Sequence, residues 1–203
     1  MADWILNTIE SIGYLGIVLL MALENIFPPL PSEFIMPLAG YLVTQEKFTL
    51  FGVILSGTVG SLAGNLPLYY LGSRLGKDKL KQFIARHGKW FALSPPDIDK
   101  ADDWFTRRGH LAVMLCRLVP GIRSLISIPS GFNRMPLLRF LLFSLAGTVV
   151  WVAFLAGVGY FLGNNFREID QYLDAILYVV IGLAIVAYLR RVILINRSGK
   201  KGR

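Results

Sequence analysis

Residues 111–139 read LAVMLCRLVPGIRSLISIPSGFNRMPLLR. The run is apolar enough to enter a bilayer, yet it carries Arg117 and Arg123 and is broken by Pro120, Gly121, Pro129 and Gly131. A plain membrane-spanning helix avoids all of these. Ionisable side chains at membrane depth are expensive and mark a substrate path or a buried ion pair. Broken helices survive there only where the freed backbone groups line a cavity or are buried in protein. The stretch therefore predicts a re-entrant segment that presents guanidinium groups to an anion.

Composition sets the frame around it. Of 203 residues, 54% are hydrophobic and 17% charged, against about 25% charged in an ordinary soluble domain. The chain reads as an integral membrane protein with one membrane domain. Its net charge of +8 sits in loops beside apolar segments, which fits anionic headgroups and membrane orientation better than nucleic acid. One cysteine, Cys116, leaves no intrachain disulfide framework. His87 and His110 form no metal-ligand spacing with a second set, so neither metal nor cofactor is expected. The first Lys or Arg is Lys47, so the basic start of a signal peptide is missing and the first apolar segment is expected to be retained.

Upstream, residues 4–23 predict a first membrane helix, tilted or interfacial at its start. Residues 23–42, LENIFPPLPSEFIMPLAGYL, hold Pro28, Pro29, Pro31 and Pro37, which argue against a continuous helix, with Glu24 and Glu33 flanking the proline cluster. We read them as a second re-entrant segment. Residues 48–75 are long enough to span. They carry a Gly60–Gly64 pair of the GxxxG type, which implies close helix packing and leaves homo-oligomerisation open, and Asn65 and Pro67 at mid-span, where they would face a cavity.

Residues 74–108 hold nine Lys or Arg against five acids. Leu80, Phe83, Ile84, Trp90 and Phe91 recur among the lysines near helical spacing, predicting an amphipathic helix on an anionic membrane surface. Ser94-Pro95-Pro96-Asp97 reads as the cap and first turn of another short helix, with Ser94 as N-cap. A further span covers 136–162, and a last one begins at 176. The connection at 164–175 has one Arg against three acids, and the tail at 190–203 has six basic residues and no acid. The basic loop and tail are therefore expected in the cytoplasm and the acidic connection outside.

The two broken segments also match one another. Nine residues separate Pro28 from Pro37 and Pro120 from Pro129; 35 separate Pro37 from Gly72 and 34 separate Pro129 from Gly163. With the charge pattern, this predicts an all-α polytopic protein built as an inverted repeat. It has two opposed re-entrant helical hairpins, spanning helices and a surface amphipathic helix. Repeat one is about 10–76, the amphipathic loop about 77–108, repeat two about 109–165, and the last helix with its tail about 172–203. Paired broken segments in two halves point to a transporter site near the midplane. The halves differ chemically: the first supplies Glu24 and Glu33, the second Arg117 and Arg123. These four are expected to come close to neutralising one another, which lowers the cost of burying them. An anionic headgroup would then compete with the carboxylates for the arginines, and protonating a glutamate would free an arginine for the ligand.

The chain resembles the DedA family of bacterial membrane proteins. The matching residues are Leu23-Glu24-Asn25 ahead of Pro-Pro-Leu-Pro-Ser-Glu33, GSLAGNLPLYYLGSRLG at 60–76, Arg117-Leu-Val-Pro-Gly-Ile-Arg123, and Ser130-Gly131-Phe-Asn-Arg-Met135. They extend over roughly residues 10–165. Asn65 departs from the pattern, since many family members carry an aspartate there. The resemblance implies an inner-membrane protein with a cytoplasmic C-terminus that moves lipid between leaflets. Undecaprenyl phosphate is the favoured cargo, with coupling to protons. By motif match, Glu24 and Glu33 would be the proton-linked acids and Arg117 and Arg123 the phosphate-site arginines; Asn65 and Ser130 join them as candidate substrate contacts. The alternative is a less selective flippase or scramblase acting on phospholipids such as phosphatidylethanolamine. A lipid phosphatase is disfavoured, because Ser124 and Ser127 have no histidine beside them in sequence and no metal set.

Overall fold

The computed structural model describes residues 2–26, 32–87, 95–119 and 123–163. Among them every regular element is a helix: α1 Ala2–Ile12, α2 Tyr14–Ile26, α3 Ser32–Thr44, α4 Leu50–His87, α5 Pro95–Arg108, α6 His110–Cys116, α7 Ser127–Phe132 and α8 Leu137–Leu162. The expected last span, its acidic connection, the basic tail and the Ser94 cap lie outside the described residues.

Two helices have the length and composition to cross a membrane, α4 over Leu50–Ala85 and α8 over its full 26 residues. At 1.5 Å per residue α8 is about 39 Å long, against a hydrocarbon core of about 30 Å. The stretch at 4–23 is not one helix. Gly13 adopts φ +69 and separates α1 from α2, a backbone conformation open to glycine at little cost. The break is fastened from outside. The Tyr14 hydroxyl accepts the Thr49 amide at 2.9 Å, and Lys47 pairs with Glu10 at 2.8 Å, so the turn between α3 and α4 docks onto it.

Pro37 lies inside α3 instead of ending it. Its nitrogen cannot donate to the Glu33 carbonyl and its ring crowds that carbonyl, yet the helix continues through it. α3 packs on α8, where an added Cβ on Gly40 would run into the Ala156 carbonyl and one on Gly159 into the Pro37 carbonyl. α7 packs on α4 in the same manner, through Gly72 on the Ile128 carbonyl and Gly131 on the Tyr69 carbonyl. A third kind of contact sets α2 on α4, with Gly60 on Val18 and Met21 and Gly64 on Ala22. The GxxxG face is thus occupied within the chain. Its counterpart sets Gly147 of α8 against Met114 and Arg117 at the end of α6. Twelve residues separate Gly60 from Gly72, and twelve separate Gly147 from Gly159.

Along both long helices the interior changes character at mid-length. On α4, Val53 belongs to one apolar cluster with α1, α2, α3 and α8, and Tyr69 to a second with Val113, Cys116, Ile126, Met135 and Phe140. Ser61 and Asn65 fall between them, buried. On α8, Phe140 lies in the second cluster and Val152, Leu155 and Ala156 in the first, with buried Ser144 and Thr148 between. A polar layer therefore separates two apolar ones.

Part of the amphipathic stripe finds a protein partner, while Trp90 and Phe91 lie outside the described residues. α4 bends at Gly76, φ +68. Beyond the bend Leu80 and Ile84 bury themselves against Ile98 of α5 and Ile128 of α7, while Phe83 stays exposed. A polar clamp holds this corner. Lys77 pairs with Asp102 and, at 3.2 Å, with Asp99; Lys81 reaches Asp99 at 2.6 Å; and Asn133 donates to Asp102 at 2.8 Å. Lys81, then Lys77, hold the Asp99 carboxyl below its ordinary range. Burial raises that of Asp102, but hydrogen bonds from Lys77 and Asn133 outweigh it and leave it low. A carboxyl whose folded pKa is depressed stabilises the fold above its unfolded value of about 3.9 and loses that contribution as pH falls through the folded value. Asp102→Asn should therefore cost about 1 kcal/mol at neutral pH, a few degrees in thermal midpoint. The gap from wild type should close below about pH 4. Melting curves of the detergent-solubilised protein across that range check both parts; a pH-independent gap would contradict the assignment.

Candidate functional site

The polar layer is assembled at two chain breaks. Glu24 and Asn25 are the last full turn of α2, just before the proline cluster. Arg117 follows α6 directly as its C-cap, and Arg123 begins the run of turns that leads into α7. A helix end leaves carbonyls and side chains without intrahelical partners, so both breaks deliver hydrogen-bonding groups to the interior.

The two arginines have different surroundings. Arg123, 5% exposed, forms an ion pair with Oε1 of Glu24, 8% exposed. Arg117, 2% exposed, meets no carboxylate within ion-pairing distance among the described residues. Its Nη1 donates to the Arg123 carbonyl at 2.6 Å, and its Nη2 to Ser144 Oγ at 2.9 Å and Ser127 Oγ at 3.2 Å. The guanidinium carbon stands 5.6 Å from the centre of the Phe140 ring, within cation–π range. Among the described residues, dipoles and a π face carry this buried cation.

The remaining side chains join the arginines in one network. Ser127 passes its own proton to Asn65 Oδ1 at 3.2 Å. Asn65 Nδ2 donates to the Ser61 carbonyl at 2.6 Å. Asn25 Nδ2 donates to the Met21 carbonyl at 2.8 Å, and its Oδ1 accepts from Ser124 at 2.8 Å. Among the described residues four buried side-chain polar atoms make no hydrogen bond: Glu24 Oε2, Arg117 Nε, Thr148 Oγ1 and Arg123 Nη2, the last of which is the atom ion-paired with Glu24. Unpaired polar atoms in a dry interior cost free energy, so the first three are places where a ligand or water gains most.

Of the residues singled out in the sequence, the structure joins Glu24 to Arg123 directly and Arg117 to Asn65 through Ser127. It does not bring all four charges into mutual pairs. Glu33 sits half-buried in the first turn of α3 and pairs with neither arginine. Ser130 spends its hydroxyl on the Ile126 carbonyl at 2.7 Å. Sequence reasoning passed over Asn25, Ser144 and Thr148 as site members. The last two left a signal: polar residues four apart in an otherwise apolar α8 lie on one helix face. Ser124 and Ser127 donate to the amide oxygens of Asn25 and Asn65, so neither hydroxyl is set against a base.

Comparison with known proteins gives this geometry its context. A profile for the VTT domain matches residues 30–161. A Lactococcus lactis protein named alkaline phosphatase-like protein is 38% identical over 93% of this chain and 89% of its own length. The undecaprenyl phosphate transporter A of Staphylococcus aureus is 37% identical over 95% of this chain and 97% of its own. The Bacillus subtilis protein of that name is 28% identical over 90% and 88%. No solved structure matches. The profile match and the identities over most of the chain show that it belongs to the VTT-domain, or DedA, family of membrane proteins.

Proposed function

We propose that this protein moves a phosphate-bearing lipid between membrane leaflets, with a polyprenyl phosphate such as undecaprenyl phosphate as cargo and protons as the coupling ion. The observation that carries the reading is a buried layer that holds two guanidinium groups and one carboxylate, Glu24, which is paired with Arg123. Guanidinium groups match phosphate oxygens in geometry and charge, and one positive charge in the layer is left for an anion to offset. The lipid tail stays in the bilayer, so only the headgroup needs a polar route.

In this reading the phosphate displaces Glu24 from Arg123, and a proton on Glu24 removes the cost of leaving that carboxylate alone. Glu33, outside any ion pair with the arginines, would act as a second proton acceptor on the route. The printed names of the Staphylococcus and Bacillus relatives favour the same cargo. We also read the chain as one membrane domain of two inverted halves. Each half would lend a re-entrant arm to the long helix of the other, α3 to α8 and α7 to α4, and the equal twelve-residue glycine spacings support this pairing. We read the basic segments as favouring a cytoplasmic clamp and a cytoplasmic C-terminus in a bacterial inner membrane.

Liposomes containing the full chain test the proposal. Labelled polyprenyl phosphate should cross faster than in empty vesicles, and an imposed proton gradient should change the rate. Equal movement of phosphatidylethanolamine without a gradient would favour an unselective flippase instead. No movement of any phosphate lipid would refute transport.

A further inference from the structure

Among the unpaired atoms of the polar layer, Thr148 Oγ1 is the least expected. Helical Ser and Thr residues commonly turn the hydroxyl back onto their own helix. Thr8, Thr58 and Ser130 all do so here, onto the carbonyl four residues earlier at 2.7 Å. Thr148 has the same recourse in α8 and does not take it, although it is 2% exposed and its oxygen is sealed from solvent.

Its neighbours say where it points. Ser144, one turn earlier on the same face, binds Arg117 Nη2. Gly147, next in sequence, rests on the Arg117 stem: a Cβ there would lie 2.7 Å from Arg117 Cβ and 3.1 Å from its Cγ. Ser144 and Gly147 of α8 therefore meet the tip and the stem of Arg117, and Thr148 is adjacent to Gly147 in sequence and one turn from Ser144. Arg117 Nε is itself a buried donor without an acceptor. A hydroxyl that can donate and an N–H that must donate are left unused on one side chain and the helix covering it.

We propose that Thr148 Oγ1 and Arg117 Nε form a two-donor subsite for one non-bridging phosphate oxygen, and that this subsite selects phosphomonoester headgroups over phosphodiesters. A monoester presents three non-bridging oxygens and up to two negative charges; a diester presents two oxygens and one charge. Arg123, once released by Glu24, serves one oxygen, and the second Nη1–H of Arg117 another. The Thr148 subsite holds the third, which a diester has replaced with an ester link. The inference rests on the phosphate-lipid reading above and sharpens it to a headgroup class.

The test is equilibrium binding to the full chain in nanodiscs of neutral lipid, using polyprenyl phosphate and phosphatidic acid as monoesters and phosphatidylglycerol as diester. Thr148→Val keeps the shape and removes the hydroxyl. Thr148→Ser keeps the hydroxyl. Losing one hydrogen bond to a charged group is expected to weaken both monoesters about tenfold in the valine variant. Phosphatidylglycerol should shift less than about twofold, and the serine variant should stay near wild type. Since valine removes a buried unpaired polar atom, thermal stability should hold or rise. A loss for polyprenyl phosphate alone would tie the subsite to the polyprenyl lipid and overturn the headgroup rule. Equal weakening of monoesters and diester, or none, would overturn it while leaving transport standing. Wild-type protein that binds none of the three would instead overturn the phosphate-lipid reading itself.

Discussion

Replacing Arg117 with methionine should abolish transport without unfolding the protein, whereas replacing Arg123 should do both. The difference lies in what each substitution leaves behind. Arg117 has no carboxylate partner to abandon among the described residues. Its partners are two hydroxyls and a carbonyl, and Ser144 can turn back to its own helix once the guanidinium is gone. Removing an uncompensated buried charge also removes its desolvation cost. Stability of Arg117→Met should then lie within about 1 kcal/mol of wild type, or above it, since apolar replacements of buried charges are often neutral or stabilising. Arg123→Met strands the Glu24 carboxylate in an apolar layer, where breaking a buried pair costs about 3–5 kcal/mol. Adding Glu24→Gln should recover most of that cost and no transport. Thermal midpoints of the four proteins, read beside polyprenyl phosphate flux in liposomes, separate the two roles. If Arg117→Met melts as low as Arg123→Met, Arg117 is structural and the free cation is not held for a ligand.

The sequence shows where charge enters the membrane more readily than how it is neutralised there. Arg117, Arg123 and Glu24 stand out because a guanidinium or carboxylate in an apolar run is costly whatever the fold, and all three are buried. α4 and α8 were legible for a similar reason, since apolar length is a local property. Pairing is not local. Glu33 carries the same side chain as Glu24 and is nine residues away in sequence, but it lies on α3, where Gly40 packs on α8. It therefore reaches neither arginine. Pro37 misleads because the rule that proline breaks a helix concerns one lost hydrogen bond and one crowded carbonyl, and α3 continues through both. Leu80 and Ile84 show the reverse problem. Their spacing declares an apolar face, but a period of 3.6 cannot distinguish lipid from a neighbouring helix, and here Ile98 and Ile128 provide the cover. Ser144 and Thr148 carry no charge, so only their shared face marked them.

Gly159→Ala should be among the most damaging added methyl groups at the described glycines, and Gly157→Ala, two residues away, should do nothing harmful. In lipid, water does not drive helices together, so association depends on close packing. A Cβ on Gly159 would overlap the Pro37 carbonyl, a backbone atom with no rotamer to escape into. Relief requires α3 and α8 to separate, which would open the packing of Ile35, Met36, Leu38, Val152 and Ala156 in the same cluster. A cost of about 3 kcal/mol, at the upper end for overpacking, is expected. Gly157 has nothing within 4 Å of its would-be Cβ, so alanine there gains helix propensity, about 1 kcal/mol at most. The same logic on the other arm predicts that Gly131→Ala, facing the Tyr69 carbonyl, behaves like Gly159→Ala. If α3 on α8 and α7 on α4 are equivalent joints of two inverted halves, the two substitutions should lower the thermal midpoint by similar amounts. Each should reduce transport in step with the fraction folded. A large loss at Gly159 with none at Gly131 would show that one arm is a rigid joint and the other is not, and the pairing of the halves would then have to be abandoned.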